Sequence, residues 1–306
     1  MKVVFFVGPT ASGKSGIAHA WAKKYSGAII NCDSIQVYRS LDIGSAKPSP
    51  QEMKEVPHFL FDYVSVGDEM TAGRFQRDFF EILEKIKGQY PFVLVVGGTG
   101  FYFQAIEKGM FPVGASNPEI KADVEKELAT AVGPGRLYRE LQEKDPAAAE
   151  KISINDHYRL GRAVEMMRSH GKTRAQVEQE FREQQTPFPY PLLKLGLAVE
   201  RDCLLSRVEV RVTEMLKRGL LQEVKVLIDQ GHGEWAPLSS VGYRECVRFL
   251  RGEIPTELDL WKEIVQSTMK LVKKQRTWFQ RDSELFWFSR EQVDLAEAKL
   301  SAFRAN

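Results

Sequence analysis

The chain has 306 residues, of which 43% are hydrophobic and 27% charged, and its formal net charge is +2. This composition is typical of a soluble globular protein with one large or two modest domains, and the balanced charge gives no overall argument for nucleic-acid binding. The cysteines, Cys32, Cys203 and Cys246, form no C-x-x-C pair, which argues against a disulfide framework or a zinc site. We expect a cytoplasmic protein, because the N-terminus enters a strand directly and no apolar run approaches the ~20 residues of a membrane span.

The first motif along the chain is a phosphate-binding loop. The apolar run Val3–Val7 predicts a buried strand, residues 8–15 (GPTASGKS) match G-x-x-x-x-G-K-[ST], and residues 13–24 predict a helix. The glycines allow a tight turn, so that successive N–H groups face one point before the helix N-terminus. Lys14 supplies a positive charge for a diphosphate, and the Ser15 hydroxyl can bind Mg²⁺. The predicted diphosphate-binding residues are Gly8, Pro9, Thr10, Ala11, Ser12, Gly13, Lys14 and Ser15.

Two further strand ends are expected beside this loop. A predicted strand over residues 28–32 ends at Asp33, and one over residues 92–96 ends in the glycine-rich sequence 97–100. Ligands of open α/β sheets bind beyond the carboxyl ends of strands, so Asp33 is a candidate site residue, with a simple capping role as the alternative. The second strand end lacks the acidic residue that a phosphate-loop ATPase usually has there. Its Thr99 can hydrogen-bond a phosphate or a substrate but cannot act as a base at neutral pH.

The remaining pattern predicts helices around this sheet. Phenylalanines and aliphatic residues at helical spacing over residues 71–88 predict an amphipathic helix with a core face. Residues 36–50 are rich in loop signals. Residues 115–191 contain no strand-like run and predict a helical insertion, after which residues 193–199 return to the sheet. On the following helix, Arg207 and Arg211 can either reach a pyrophosphate together or pair with Glu214 and other surface carboxylates.

Two separate clusters of positive charge stand out locally. Within residues 159–174, five cations face only Glu165, namely Arg159, Arg162, Arg168, Lys172 and Arg174. On a predicted helix over residues 258–281, basic and aromatic side chains alternate, namely Lys270, Lys273, Lys274, Arg276, Trp278, Phe279 and Arg281. Either cluster alone can be a solvated helix face, but two clusters favour a bound polyanion, and interleaved aromatics suit nucleic-acid contacts.

Together these motifs resemble the tRNA dimethylallyltransferase family over nearly the whole chain. The family's GPTASGK-[ST], D-S-x-Q-x-Y and D-I-G-T-A-K-P blocks stand at residues 8–15, 33–38 and 42–48, with Ser45 in place of threonine. Its P-H, V-G-G-T, D-P-x-A-A, N-D-x-x-R-x-x-R-A-x-E, V-G-Y-R-E and K-x-Q-x-T-W blocks follow in family order, from Pro57 to Trp278. Gln280 departs from the pattern, since many members have arginine there.

The resemblance implies a fold and a reaction. The fold is an α/β P-loop NTPase-like parallel sheet flanked by helices, formed by residues 1–114 and 192–306, with an all-helical insertion over 115–191 that clamps tRNA. The reaction is transfer of a dimethylallyl group from dimethylallyl diphosphate to N6 of adenosine 37, next to the tRNA anticodon, with release of pyrophosphate. The expected cofactor is Mg²⁺ on Ser15, and the expected state is a monomer without membrane association.

The resemblance also implies roles for individual residues. Asp33 is expected to be the general base, Thr99 to lie near the diphosphate and the adenine amine, and Arg211 to stabilise the leaving group. The residues expected to contact the tRNA anticodon stem-loop are Asp33, Ser34, Ile35, Gln36, Tyr158, Arg159, Leu160, Gly161, Arg162, Ser239, Ser240, Val241, Gly242, Tyr243, Arg244, Lys273, Lys274, Gln275, Arg276, Thr277 and Trp278.

Three other functions remain open at this point. A nucleotide or small-molecule kinase would share the phosphate loop, with residues 159–174 as an arginine-rich lid. A non-catalytic RNA-binding NTPase would not need Asp33. A relative that prenylates free adenine nucleotides would need neither the insertion nor the basic C-terminal helix, and both features argue against it.

Overall fold

A computed structural model describes residues 1–110, 117–184 and 186–305 of the chain. The chain divides into two compact units, Met1–Glu107 with Phe188–Asn306, and Lys108–Pro187. The predicted boundary between residues 114 and 115 lies outside the described residues.

The first unit is built on a parallel sheet, which confirms the predicted fold class. The described residues contribute six strands in the order β3-β2-β4-β1-β5-β6, and every neighbouring pair is parallel. All strands therefore end at the same edge, and the phosphate loop leaves that edge between β4 and β5. The strands are β1 (Lys2–Val7), β2 (Ala28–Asn31), β3 (His58–Phe59), β4 (Phe92–Gly97), β5 (Leu192–Leu197) and β6 (Phe286–Phe288).

Helices surround this sheet and make up the second unit. In the described part of the first unit they are, numbered in chain order, α1 (Lys14–Lys24), α2 (Pro50–Glu55), α3 (Ala72–Lys85), α4 (Gly100–Lys108, whose last residue falls in the second unit), α10 (Arg201–Lys217), α11 (Leu220–Asp229), α12 (Tyr243–Leu250), α13 (Glu257–Phe279) and α14 (Val293–Ala305). In the second unit they are α5 (Pro118–Leu128), α6 (Gly133–Lys144), α7 (Pro146–Ala149), α8 (His157–His170) and α9 (Arg174–Gln184).

The hydrophobic core of the first unit follows the apolar patterns of the sequence. Strand β4 is buried along its whole length, as a central strand covered on both faces must be. Trp21 of α1 stacks on Phe6 of β1, with ring centroids 5.3 Å apart. The predicted core face of α3 is confirmed, because Phe75, Phe79 and Leu83 are all fully buried. This packing fixes the strand ends that carry the candidate site.

The second unit is helical throughout its described residues, and it has its own core. Apolar residues of α5, α6, α7 and α8 form one buried cluster that includes Val124, Leu137 and Leu160. The prediction that Leu160 contacts tRNA is wrong for its side chain, and Gly161 packs closely against a neighbouring helix. Leu160 is fully buried in that cluster, and a Cβ at Gly161 would come within 2.9 Å of the Leu128 side chain. Across the described ranges, no helix has both the length and the apolarity needed to cross a bilayer.

Candidate active site

The phosphate loop joins β1 to α1 as the motif predicts. The Ser12 N–H donates to the Pro9 carbonyl at 3.2 Å, and Ala11 and Gly13 have φ of 63° and 90°. Such left-handed backbone is strained for alanine, so surrounding contacts must hold it in place. Ser12 is fully buried, and its hydroxyl has no hydrogen-bond partner in the described residues. An orphaned hydroxyl in a phosphate loop is a ready donor for an anionic ligand.

Lys14 lies at the first position of α1. Its ammonium donates to the Pro9 carbonyl at 3.4 Å. Burial lowers the pKa of Lys14 to about 8, while the charge of Asp33 raises that pKa and the charge of Arg211 lowers it. These charges act on one another because the loop, the end of β2 and helix α10 meet here. A diphosphate would supply the negative charge that the protonated lysine needs.

Asp33 is held at the end of β2 by a buried asparagine. The Asn31 side-chain oxygen accepts from the Asp33 N–H at 2.9 Å, and its nitrogen donates to the Asp33 carbonyl at 3.0 Å. One carboxylate oxygen of Asp33 accepts the Ile35 N–H at 2.9 Å. The two alternatives for Asp33 therefore coexist, because the same carboxylate caps a turn and lines the pocket described below.

Thr99 lies beside Asp33 across the ends of β2 and β4, as expected for neighbouring strands. Its hydroxyl oxygen accepts the Ser34 N–H at 3.0 Å, and its own N–H donates to the Cys32 carbonyl at 3.3 Å. The two strand ends that the sequence singled out are thus tied together directly.

A pocket opens beside these groups. Its polar lining includes Thr10 of the phosphate loop, Asp33 and Arg211. Its apolar lining is supplied by side chains from several elements, namely Ile35, Val208, Val212, Met215, Val241, Ile264 and Leu271. A pocket with an anion-binding loop at one side, a carboxylate at another and aliphatic walls suits a small apolar group attached to a diphosphate.

Arg211 and Arg207 make different contacts, although they lie one turn apart on α10. Arg211 lines the pocket, and burial lowers its pKa while the charge of Asp33 raises it. Glu214, proposed as an alternative partner, pairs with Lys217 at 3.3 Å. Arg207 instead donates to the Ser12 carbonyl at 3.0 Å, on the phosphate loop itself.

Gln275 was predicted to contact tRNA, but its side chain is bonded inside the protein. Its side-chain oxygen accepts the Thr10 N–H at 2.8 Å, and its nitrogen donates to the Gly98 carbonyl at 3.1 Å. The side chain is buried, and both ends of its amide bond to backbone. Gln275 thus bridges the phosphate loop and the end of β4, and it is not available to tRNA.

The segment 42–45, part of the D-I-G-T-A-K-P block, is held beside the pocket by hydrogen bonds to two side chains. Glu223 of α11 accepts the N–H groups of Asp42, Ile43 and Gly44 at 2.8–3.2 Å. The Tyr243 hydroxyl donates to Glu223 at 2.8 Å and accepts the Ser45 N–H at 3.1 Å. Tyr243, predicted to contact tRNA, therefore uses its hydroxyl internally while its ring lines the pocket. The sequence gives no signal for this role of Glu223, because a lone helical glutamate carries no motif.

Among the other residues predicted to contact tRNA, some line this pocket and some do not. Gln36 donates to the Ser45 and Ala46 carbonyls at 2.9 and 3.1 Å. Ser240, Val241 and Gly242 line the pocket. The remaining two of this block lie nearer the surface: Ser239 donates its hydroxyl to the Ala236 carbonyl at 2.7 Å, and the exposed Arg244 pairs with Glu245 at 2.6 Å.

Helix α13 presents an unneutralised basic face. Its exposed or partly exposed cations are Lys270, Lys273, Lys274 and Arg276, and Arg281 follows directly after the helix. In the described part of the chain, none of them has a carboxylate within 4.0 Å. Trp278 and Phe101 lie on the same side of the unit, 38% and 48% exposed, with ring centroids 6.5 Å apart. The indole fits closely because residue 100 is glycine, where a Cβ would come within 2.1 Å of it. Exposed Thr277 adjoins this surface.

The basic cluster of the insertion is largely neutralised. Arg168 bonds Glu140 at 2.5 Å and Glu127 at 3.0 Å. Arg162 pairs with Glu165 at 2.6 Å. Lys172 and Arg174 pair with glutamates of α9, each at 2.7 Å. Four of the cations counted over residues 159–174 therefore have close carboxylate partners, most of which lie outside that segment.

Two exposed side chains remain for ligand contact in this region. Tyr158 is 79% exposed, and the guanidinium of Arg159 is held only by the exposed Asp156 at 3.5 Å. Both lie in the first turn of α8, where the N-cap residue Asp156 accepts the Arg159 N–H at 3.1 Å.

The residues present fit a magnesium ion that is bound largely through a substrate. Mg²⁺ prefers oxygen ligands, keeps several waters and is commonly held by one or two protein groups together with phosphates. The Ser15 hydroxyl is exposed in the first turn of α1, next to the loop. Within the described ranges, no group of three or more His, Cys, Asp or Glu residues is placed to hold a metal without a substrate.

Comparisons with known proteins agree with this geometry. A family model described as IPP transferase matches residues 36–282. The tRNA dimethylallyltransferase of Bdellovibrio bacteriovorus is 52% identical over 286 residues, which cover 94% of this chain and 92% of the relative. That of Geobacter sulfurreducens is 37% identical over 288 residues, covering 94% and 91%.

Solved structures are also similar over most of their length. The full-length tRNA isopentenylpyrophosphate transferase of Bacillus halodurans has a TM-score of 0.71 at 29% identity, covering 99% of this chain and 97% of that one. A eukaryotic dimethylallyltransferase acting on tRNA has a TM-score of 0.80 at 26% identity, covering 94% and 73%. With the family model matching most of the chain and close relatives covering nearly all of it, the chain belongs to the IPP transferase family.

Proposed function

We propose that this chain is a tRNA dimethylallyltransferase, which moves a dimethylallyl group from dimethylallyl diphosphate to N6 of an adenosine beside the tRNA anticodon. The observation that carries the proposal is the shared pocket, where Asp33, the phosphate loop and Arg211 meet within aliphatic walls. A phosphoryl-transfer enzyme has no need for aliphatic walls around the group that is transferred. Membership of the IPP transferase family supports the same reaction.

The diphosphate of the donor binds the phosphate loop. Loop N–H groups, the Ser12 hydroxyl and Lys14 surround its oxygens, and Arg211 approaches from α10. These groups stabilise the charge that develops on the departing pyrophosphate, and they are in position before the reaction starts. Mg²⁺ held by Ser15 and the diphosphate would add further neutralisation of that charge.

The nucleophile is weak and needs a base. The N6 lone pair of adenine is delocalised into the ring, so the amine attacks effectively only as it loses a proton. Asp33 accepts that proton while the N6–C1 bond forms, the C1–O bond breaks, and pyrophosphate leaves with the electron pair. A positioned carboxylate typically contributes a factor of about 10²–10⁴. Thr99 lies beside Asp33 and can accept or donate a hydrogen bond at the amine.

Stabilisation of the leaving group contributes more than activation of the amine. An allyl group shares positive charge over two carbons, so the C1–O bond can break ahead of bond formation. The aliphatic side chains around this carbon, including Val208, Val212 and Met215, exclude water that would otherwise capture it.

The tRNA partner enters through its anticodon stem-loop. A stacked adenine cannot reach Asp33, so the base must flip into the pocket. The unpaired cations of α13 bind backbone phosphates, and Tyr158 and Arg159 are the candidates for tRNA contact on the insertion. In this proposal the enzyme is a cytoplasmic monomer.

The direct test is incubation of the protein with dimethylallyl diphosphate, Mg²⁺ and unmodified tRNA, followed by mass analysis of nucleosides. One adenosine beside the anticodon should gain one dimethylallyl group without ATP. Parallel reactions with AMP as acceptor, and with ATP as donor, test a free-nucleotide prenyltransferase and a kinase. Modified AMP, phosphoryl transfer, or tRNA without the added mass would contradict the proposal.

A further inference from the structure

Arg290 lies against the back of the phosphate loop, and no motif draws attention to it. Its guanidinium Nη2 donates to the Ser12 carbonyl at 3.2 Å, and Arg207 donates to the same oxygen at 3.0 Å. A Cβ at Gly13 would come within 2.0 Å of Arg290 Nη2, so the guanidinium occupies the space that glycine leaves. Two arginines from distant parts of the chain thus converge on one peptide unit of the loop.

The placement of Arg290 is braced locally. It opens a short 3₁₀ turn, Arg290–Gln292, directly after β6. Ser289 and Gln292 cap each other, with the Ser289 N–H donating to the Gln292 side chain at 3.1 Å. The Ser289 hydroxyl also donates to the Glu291 carboxylate at 2.5 Å. This carboxylate, next to Arg290 in the sequence, therefore bonds to Ser289 and not to the guanidinium. In the described part of the chain, neither Arg290 nor Arg207 has a carboxylate within 4.0 Å.

This geometry acts on the ligand-binding side of the loop through the peptide bond. The Ser12 carbonyl and the Gly13 N–H belong to the same peptide unit. Hydrogen bonds from two cations to the carbonyl polarise that unit and make its N–H a stronger donor. The same bonds hold the left-handed backbone at Ala11 and Gly13 in place. The two cations repel each other where they converge, and an anionic ligand across the loop offsets that repulsion.

We propose that Arg290 is a positioning residue for diphosphate: it acts through the Ser12–Gly13 peptide to preorganise the phosphate loop and to tighten binding of the donor and of pyrophosphate. The inference rests on the proposed function, since the ligand is the diphosphate of the prenyl donor. Because Arg290 acts on a peptide unit of the phosphate loop, its effect should be confined to the diphosphate.

The test compares Arg290→Ala, Arg290→Lys and the control Lys225→Ala, which removes an exposed cation that pairs with Asp229 at 2.7 Å. The measurements are calorimetric Kd for inorganic pyrophosphate, KM for dimethylallyl diphosphate and for tRNA, and the thermal midpoint. Arg290→Ala should raise the pyrophosphate Kd and the donor KM about 5- to 20-fold, as loss of one charge-assisted bond implies, with tRNA KM unchanged. The pyrophosphate Kd and donor KM of Arg290→Lys should lie between those of the wild-type protein and Arg290→Ala, because lysine keeps the charge but loses the planar donor.

Several outcomes would overturn the inference. A lower thermal midpoint in Arg290→Ala with unchanged pyrophosphate Kd means a purely structural arginine. A raised tRNA KM with an unchanged donor KM places Arg290 on the nucleic-acid side. Equal changes in Lys225→Ala mean a general charge effect. If Arg290→Ala does not fold, Arg290→Lys with wild-type Kd and donor KM contradicts the proposal. A failure of the proposed function would give a different result from a failure of this inference. The wild-type protein would then bind pyrophosphate but modify no tRNA.

Discussion

The side-chain oxygen of Gln275 accepts the backbone N–H of Thr10 at 2.8 Å, which joins helix α13 to the phosphate loop across 265 residues of sequence. The other end of the same amide holds the Gly98 carbonyl. The helix that carries the basic face is therefore also a structural support of the diphosphate site. This bond connects the proposed tRNA-binding face to the proposed donor site, because Gln275 lies on the helix that carries the basic side chains.

Replacing Gln275 should impair the diphosphate site. Gln275→Ala leaves a backbone donor and a backbone acceptor without partners, which costs about 1–3 kcal/mol in the free energy of unfolding. It should also raise the KM for dimethylallyl diphosphate. Gln275→Glu keeps an acceptor for Thr10 but loses the donor to Gly98 and adds a negative charge near the leaving group. Urea unfolding and donor kinetics check this, and a loss of tRNA affinity alone would restore the original assignment of Gln275 to tRNA.

Binding of the donor should depend on pH through Lys14. Burial holds the pKa of Lys14 at about 8 in the empty site, and an anionic diphosphate raises it on binding. The protonated form binds, so the donor Kd is flat below pH 8 and rises about tenfold per pH unit above it, until the pKa of the complex is reached. Calorimetry with dimethylallyl diphosphate, itself fully ionised in this range, measures the effect. Lys14→Met should bind weakly at every pH without that rise, and a rise that persists in Lys14→Met would assign it to another group.

Replacing two arginines of the insertion should have different effects, because Arg168 is structural and Arg159 is proposed to bind tRNA. Arg168 is mostly buried and bridges Glu140 and Glu127, so Arg168→Ala should lower stability by about 1–2 kcal/mol. Arg159→Ala should leave the thermal midpoint unchanged but weaken tRNA binding several-fold at low salt, and it should reduce the slope of log K against log salt by about 0.7–0.9. If Arg168→Ala weakened tRNA binding without lowering the thermal midpoint, the neutralised cluster would have to open on binding.

The exposed aromatic pair should contribute stacking to tRNA affinity. Phe101→Ala and Trp278→Ala should each raise the Kd of an anticodon stem-loop at least fivefold, since base–aromatic stacking is worth about 1–3 kcal/mol. Trp278→Phe, which retains a ring beside Gly100, is the matched control and should keep most of the affinity. Gel-shift titrations at fixed salt measure this, and equal losses in Trp278→Phe and Trp278→Ala would argue for a packing role instead of stacking.

Local patterns in the sequence predict the strands and the loop that position the site. The apolar run Val3–Val7, the loop and the helix form a continuous motif, and Asp33 and Thr99 follow strands whose parallel pairing brings them together. Strand β6 has only three residues, too few for a periodic pattern, so Arg290 behind it carried no signal.

Contacts between distant segments are what the sequence could not indicate. The partners of Arg168 lie 28 and 41 residues away on other helices, so a local charge count overstated the positive surface. Family motifs, in turn, mix residues that face a ligand with residues that face the core. Leu160 and Gln275 stand inside such motifs, yet one packs in a hydrophobic cluster and the other bonds the phosphate loop.

The most direct test of the account is the single-turnover rate of dimethylallyl transfer by Asp33→Asn. Asparagine keeps the oxygen that accepts the Ile35 N–H, so the strand end and the pocket should be preserved while the base is lost. The rate should fall about 10²–10⁴-fold, with the Kd values for tRNA and for pyrophosphate within about twofold of the wild-type protein. A rate that stays near the wild-type value would show that Asp33 is not the base, and it would contradict the central claim that this pocket couples proton removal from adenine to departure of pyrophosphate.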